Sequence, residues 1–477
     1  MSSDALPERR HYMVTLALLT VGGISFALMQ TLVVPALPFF QREFHTSANW
    51  VTWIATGFLL SSSVLTPILG KLGDTYGKER LLVISMAIFG IASLGAAFAW
   101  SLGSLIAFRI VQGTGAAVFP LSFGIIRDEF PPEKVGVGIG TVSSVFGAGG
   151  GIGLVLSGVI LEHLTWHWLF LIGAVPVLLA TVLIARFVPE SPIKTPTRPD
   201  YLGALSLSLA LGSLLVAISE SASWGWTSAR TVSLLVLAAL LFAAWVQVER
   251  RVPEPLVDLR TFSRRAMAAT NVATFVIGFS MFATFILLPN FVGLPRGLPA
   301  ALAARIDYGF GASPVQVGLF FIPSSLAMIV AGPVGGALGT RLGAAVILRV
   351  GIMLLGLGAA LLAIVHDAPW TIYAWMTLFG VGMAFSFATL GTLVIENSAA
   401  HETGVVTGMN TIMRTVGAAV GAQIAAAIIS ANTFAGTNVP LERGFTLAFA
   451  LGAVGALVAL VPTLLLRAPA RAVARAG

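Results

Sequence analysis

Fourteen long apolar runs, separated only by short clusters of glycine, proline and charge, fill most of this 477-residue chain. They lie at about 12–40, 50–70, 81–100, 104–126, 135–161, 166–187, 201–220, 230–249, 265–293, 314–337, 345–365, 370–395, 404–431 and 443–467. A helix needs about 20 apolar residues to cross the hydrocarbon core of a bilayer, and each run supplies roughly that many. With no water at that depth, backbone amides must be satisfied within the protein. The runs are too long and too unalternating for barrel strands, so helices remain. Composition agrees: 57% of residues are hydrophobic and 10% charged, against about 25% charged in soluble proteins. The expected fold class is an all-α polytopic membrane protein.

The net charge of +7 would suggest a nucleic-acid partner in a soluble protein. Here its distribution gives a topology instead. An even number of spans puts both termini on one side, and Arg42, Arg230, Arg296, Arg305 and Arg443 then fall on the other. Arg109 and Arg414 lie within spans, which leaves 20 of the 27 Lys and Arg on the terminal side. Positively charged loops stay in the cytoplasm. The chain is therefore expected in the cell membrane, multi-pass, with both termini cytoplasmic and no nucleic-acid partner. Residues 1–11 are polar and lead straight into the first run, which is expected to act as its own insertion signal. The absence of cysteine excludes disulfides, thiolate metal sites and cysteine nucleophiles. With no Walker loop, no metal-spaced histidine pair and no Ser/His/Asp context, neither ATP drive, metal, cofactor nor enzymatic chemistry is expected.

Two glycine patterns repeat. Pro67, Gly70, Leu72 and Gly77 recur as Pro333, Gly336, Leu338 and Gly343, 266 residues on; Gly136, Gly140, Gly149 and Gly153 recur as Gly404, Gly408, Gly417 and Gly421, 268 residues on. Two patterns at nearly one offset mean two homologous halves of six spans. The offset exceeds six spans because the pair at 201–220 and 230–249 sits between them. This gives an N-terminal bundle at 1–187, an inserted pair with its linkers at 188–264, and a C-terminal bundle at 265–477. The stretch 294–313 is expected to be a passive external loop.

The most charged junction is Gly70-Lys71-Leu72-Gly73-Asp74-Thr75-Tyr76-Gly77-Lys78-Glu79-Arg80. Its glycines allow a tight turn, and Asp74 is placed to cap the helix that follows. The spacing of Gly70, Leu72, Asp74, Gly77 and Lys78 resembles the signature between helices 2 and 3 of the major facilitator superfamily. Thr340 stands where the second half would carry its acid. The fourth span holds Arg109, Gln112, Gly113 and Gly115, like the family's R-x-x-Q-G-x-G, in which the arginine is tied to proton coupling. Gly140, Gly149 and Gly153 resemble the fifth-helix glycine motif of the exporters, with Leu154 in place of its proline. Trp166-His167-Trp168-Leu169-Phe170 is similar to the W-R-W-I-F of the fourteen-helix drug exporters, and its tryptophans also read as interface anchors. Asn410, Arg414 and Gly417 resemble the drug exporters' N-x-x-R-x-x-G, with one more residue between the asparagine and the arginine. The first span departs from the family: Met29 and Val34 replace an aspartate and an asparagine, leaving Gln30 and Thr31 as its polar groups.

The resemblance implies a fourteen-helix drug:proton antiporter, with two six-helix bundles plus an inserted pair. It implies a monomer that exports hydrophobic or amphiphilic small molecules in exchange for protons, in contact with membrane lipid. Asp74, Arg80 and Asp128, with Gly70, Gly77 and Lys78, would form the cytoplasmic gate. Gln30, Arg109, Gln112, Asn410, Arg414 and Glu396 would form the central polar network, and the glycines from 140 to 153 and 408 to 421 would pack helices closely. Asp128, Glu220, Asp307 and Glu396 are the acids left to replace the one missing at position 29. An intramembrane arginine is costly, so Arg414, about 15 Å inside its helix, calls for an interior partner or an anionic ligand. Phe279, Met281, Phe282, Phe285, Met383, Phe385 and Phe387 suit either an aromatic, thioether-lined cavity or lipid-facing packing. Two alternatives stay open: a lipid or amphiphile exporter with weak proton coupling, and a non-transporting scaffold or sensor.

Overall fold

In a computed structural model the described residues are 5–191 and 200–466, without 286, 297, 299–302, 304, 305, 435, 436 and 438. Residues 192–199 of the first linker, Arg305 of the stretch at 294–313, and the tail beyond 466 lie outside them. Among the described residues, fourteen helices are long and apolar enough to cross a membrane. They are α1 (Ala5–Thr31), α2 (Ala48–Tyr76), α3 (Lys78–Ala97), α4 (Leu102–Glu129), α5 (Pro132–His163), α6 (Trp168–Phe187) and α7 (Tyr201–Trp224). The series continues with α8 (Ala229–Glu249), α9 (Arg265–Phe285), α10 (Ile322–Leu342), α11 (Ala344–Ile364), α12 (Pro369–Glu396), α13 (Thr403–Ala431) and α14 (Glu442–Thr463). Among the described residues, the only strand-like pairing is one bridge, Thr433 with Pro440.

Proline and glycine set the interruptions. Pro35 has no amide hydrogen to continue the ladder; α1 stops at Thr31, and a separate short helix, Leu37–Glu43, follows. The fourth span is broken by a 3-10 turn, Gly113–Ala117. The charged junction is shorter than its sequence suggests, since residues 70–76 remain helical and form the last turns of α2. One residue, Gly77 at φ 119°, makes the whole corner into α3, and its repeat mate Gly343 at φ 95° does the same between α10 and α11. Both conformations favour glycine.

α1 lies against α5 and α6, and α3 against α6; α9 lies against α13 and α14, and α11 against α12 and α14. The two halves meet along two seams, α5 with α10 and α2 with α13. The repeated glycines explain both. A Cβ on Gly136 or Gly140 of α5 would overlap the carbonyls of Gly336 and Gly332 on α10, and one on Gly70 of α2 would overlap the carbonyl of Gly404 on α13. Gly408 lies against Pro67 across the same seam. The later glycines face within their own halves: Gly149 and Gly153 against α1, Gly417 and Gly421 against the backbone of α9.

The inserted hairpin closes one side. α7 packs on both α2 and α13, and α8 packs on α7 with most of its surface turned outward. Of the stretch at 294–313, Tyr308 is buried against Phe291 and donates to the Pro440 carbonyl at 2.5 Å, on top of the second half. Trp166 joins an aromatic cluster with Phe40 and Phe170, whereas Trp168 stays exposed. Gly136→Val is expected to lower the apparent melting temperature in detergent by the equivalent of about 1–3 kcal/mol of overpacking. Gly212→Val, where a Cβ meets nothing within 4 Å, should leave it unchanged; fluorescence-detected size-exclusion after heating reads both.

Candidate functional site

At the end of the molecule that carries Gly77, one carboxylate joins the halves. Asp74, in the last turn of α2, is buried, and its oxygens accept the backbone N–H groups of Gly404 at 3.1 Å and Val405 at 3.2 Å. These amides open α13, where the helix dipole is positive and N–H groups have no intrahelical partner. Lys78, one turn beyond Asp74 and fully buried, lies 3.7 Å from it and 2.8 Å from Asp128 at the end of α4. Ser191 also donates to Asp128, at 2.5 Å. Glu190 accepts the first amides of α3, those of Glu79 and Arg80. Arg127 reaches from α4 across the seam and donates to the Ser398 and Ala399 carbonyls and to the Thr403 hydroxyl, at 2.9, 3.1 and 2.7 Å.

At mid-membrane depth the seam between α2 and α13 parts, while α5 and α10 stay in contact. Leu59 lies 11 residues along α2 from Gly70, about 16 Å at the helical rise. There, two adjoining cavities of about 230 and 120 Å³ separate α1 and α2 from α9 and α13. The larger is walled by Leu215, Ile218 and Ser219 of α7, with the Ser219 and Thr56 hydroxyls 3.3 Å apart. Gln30 lines both, and Arg414 the larger. The smaller adds Met281, Phe282, Phe285 and Met383. Arg414 is half-buried, its guanidinium 4.9 Å from the Phe387 ring. Asn410, one turn earlier, donates to Asn271 and Thr274 on α9 at 2.8 Å each.

Arg109 stands apart from this cavity. It is fully buried, its guanidinium 4.1 Å over the Phe58 ring. It donates to the Ile54 carbonyl, the Met29 carbonyl and the Gln112 side chain at 3.0, 3.2 and 2.6 Å, and Gln112 in turn donates to Ser93. The arrangement ties four helices of the first half together. One guanidinium nitrogen, Nη2, has no hydrogen-bond partner.

The structure thus brings Gln30 and Arg414 together, but it separates other residues that the sequence grouped. Arg80 is exposed; two residues past Lys78 on α3, it faces away from the acids, and among the described residues Lys78 bridges them. Asp74 does not cap the following helix: it caps α13 of the other half, and the corner residue Gly77 offers no side-chain cap to α3. Glu396 does not join a central network, because it is the last residue of α12 and is exposed there, while the residues just before it are buried. Glu220 binds its neighbour Ser223, and Asp307 is exposed. Met29 is buried against Gly173 of α6, so position 29 faces the first half's core. Phe279 and Phe385 pack on Gly455 and Gly335. Arg127 belongs to no motif and was missed; its neighbour Asp128 was the only signal. Glu129 carries two buried oxygens without a hydrogen-bond partner.

Two helical bundles closed on each other at one end, with a cavity between them at membrane depth, have the architecture of a membrane transporter. The model of the Major Facilitator Superfamily matches residues 19–422 and 272–476, and the chain belongs to that family. It is 30% identical over 82% of its length to the tetracenomycin C resistance and export protein of Streptomyces glaucescens, covering 71% of that protein. It is 28% identical over 78% of its length to multidrug resistance protein 3 of Bacillus subtilis, covering 70% of it. Among solved structures, the human organic anion transporter MFSD10 matches at a TM-score of 0.66 and 16% identity, over 97% of this chain and all of that one. It is therefore a transporter rather than an enzyme.

Lys78→Met leaves two buried carboxylates without their cation, which is expected to cost about 3–5 kcal/mol. Arg80→Ala, an exposed change, should stay within about 0.5 kcal/mol. Comparing their melting temperatures in detergent separates the two cations.

Proposed function

We propose that this transporter exports hydrophobic or amphiphilic small molecules from the cell by alternating access, in exchange for protons. The supporting observation is the asymmetry along the seam between α2 and α13: sealed at Asp74, open at Gln30 and Arg414. The Lys and Arg bias makes the sealed end cytoplasmic, so that both termini are cytoplasmic and the chain lies in the cell membrane, working as a monomer. The bundles are residues 1–187 and 265–477, and 188–264 form an inserted wall that keeps lipid out of the gap between α2 and α13. The export and resistance relatives support the outward direction.

In this reading Gly70, Asp74, Gly77, Lys78 and Asp128, joined by Arg127, are the cytoplasmic gate. Protonation of Asp74 removes the charge that holds the α13 amides and the attraction to Lys78, so the seam loosens and the cavity opens inward. Asp128 and Glu129 share that pocket of acids. The proton is handled at the gate, since no acidic residue lines the two cavities among the described residues. Gln30 and Arg414 belong to the cavity, Asn410 anchors α13 to α9, and Arg109 with Gln112 holds the first bundle rigid.

The buried Met29 and the acid-free cavity also support a second reading, an exporter of lipids or amphiphiles with weak or no proton coupling. Efflux of a fluorescent amphiphile from loaded proteoliposomes, with and without an inward proton gradient, decides between them. Gradient-driven efflux that Asp74→Asn reduces at least tenfold is the expected result. Efflux indifferent to the gradient supports the second reading, and no efflux of any probe contradicts both.

A further inference from the structure

We infer that the central cavity selects anionic amphiphiles, with Arg414 as the group that binds their charge. The inference rests on the exporter reading for its biological sense but concerns binding alone. Four adjoining pockets share lining residues around Gln30, Leu59 and Arg414. Among all their described lining residues Arg414 is the one charged side chain, and it borders three of the four. The acids of the surrounding helices stand at or near helix ends, and Glu220 of α7, beside the cavity-lining Ser219, lines none of the four pockets and accepts from Ser223. Glu402, just before α13, is 12 residues from Arg414, about 18 Å along the helix. Asp74, Asp128 and Glu129 are drawn up at the sealed end, and Glu396 is exposed. A cation entering this space meets a like charge in a low-dielectric setting, and no carboxylate is among the described lining residues. An anion meets the reverse.

The site is built to present that charge. The Phe387 ring holds the guanidinium at 4.9 Å, and Gly278 allows the α9 backbone to press against the Arg414 carbonyl, fixing the turn of α13 that carries it. The planar guanidinium fork matches a carboxylate or sulfonate with two parallel hydrogen bonds. Gln30, from the opposite half, adds an uncharged donor across the cavity. Phe282, Phe285, Met281 and Met383 then take a flat aromatic body beside the anionic group. The chemistry points to planar aromatic acids: carboxylates, sulfonates, or phenols acidic enough to ionise.

The test is equilibrium binding to the purified full-length protein, read by fluorescence anisotropy at pH 8 with two xanthene dyes of similar shape, anionic fluorescein and cationic tetramethylrhodamine methyl ester. Fluorescein is expected to bind at least tenfold more tightly. Arg414→Gln should abolish that ratio, and Arg414→Lys should retain part of it. Gln30→Glu, which places a carboxylate in the same cavity without touching Arg414, should weaken fluorescein about tenfold and spare the cationic dye. Equal or tighter binding of the cation to the wild type overturns the inference. So does an anion preference that survives in monodisperse Arg414→Gln protein, or failure of both dyes to bind. Fluorescein that binds with the predicted selectivity but is not moved in proteoliposomes would uphold the binding site and contradict the export reading.

Discussion

The closed end of this transporter depends on one carboxylate set against the start of a helix in the other half. Asp74 takes two amides that α13 cannot use itself, at the positive end of that helix's dipole. A hydrogen bond to a charged group is worth about 1.5–3 kcal/mol, so the contact is strong enough to hold a seam and weak enough to break. Lys78 makes burial of that acid tolerable and carries the charge on to Asp128. The bond can form only because Gly70 and Gly404 let the two backbones touch. Charge and close packing therefore act at the same place.

The second seam has the packing without the charge. Gly136 and Gly336 touch as Gly404 and Gly70 do, which is the pseudo-twofold counterpart expected of repeated halves. In place of Asp74 it has Thr340, whose hydroxyl bonds within its own helix to the Ala337 carbonyl. One seam is thus held by packing alone and the other by packing plus a titratable lock. This gives a physical reason for the halves to rock about α5 and α10 and to part at α2 and α13.

Much of this was legible in the sequence, because lipid imposes simple rules. The spans followed from length and hydropathy, the repeated halves from two glycine offsets, and close packing at Gly140 and Gly408 from the same glycines. The motifs also marked Asp74, Lys78 and Asp128 as neighbours. Helix phase was not legible. Spacing alone could not say that Arg80 turns outward while Lys78 turns in, or that Met29 faces the first half's core while Gln30 faces the cavity. Nor could it show that Asp74 reaches a partner 330 residues away. Arg127 escaped notice because its acceptors are backbone carbonyls and uncharged hydroxyls about 270 residues away, which leave no mark on composition. From sequence, the inserted pair had a place between the halves but no role, whereas α7 supplies a wall of the central cavity.

The most direct test of the lock uses the absence of native cysteine. Spin labels at Tyr76→Cys and His401→Cys, both exposed beside the Asp74 contact on opposite halves, would report the seam by pulsed electron–electron double resonance in nanodiscs. The account predicts one dominant short distance, with a longer population that appears when Asp74→Asn is introduced and grows in the parent protein as the pH falls. A short-distance distribution unchanged by Asp74→Asn would show that the seam does not depend on this carboxylate and would contradict the account.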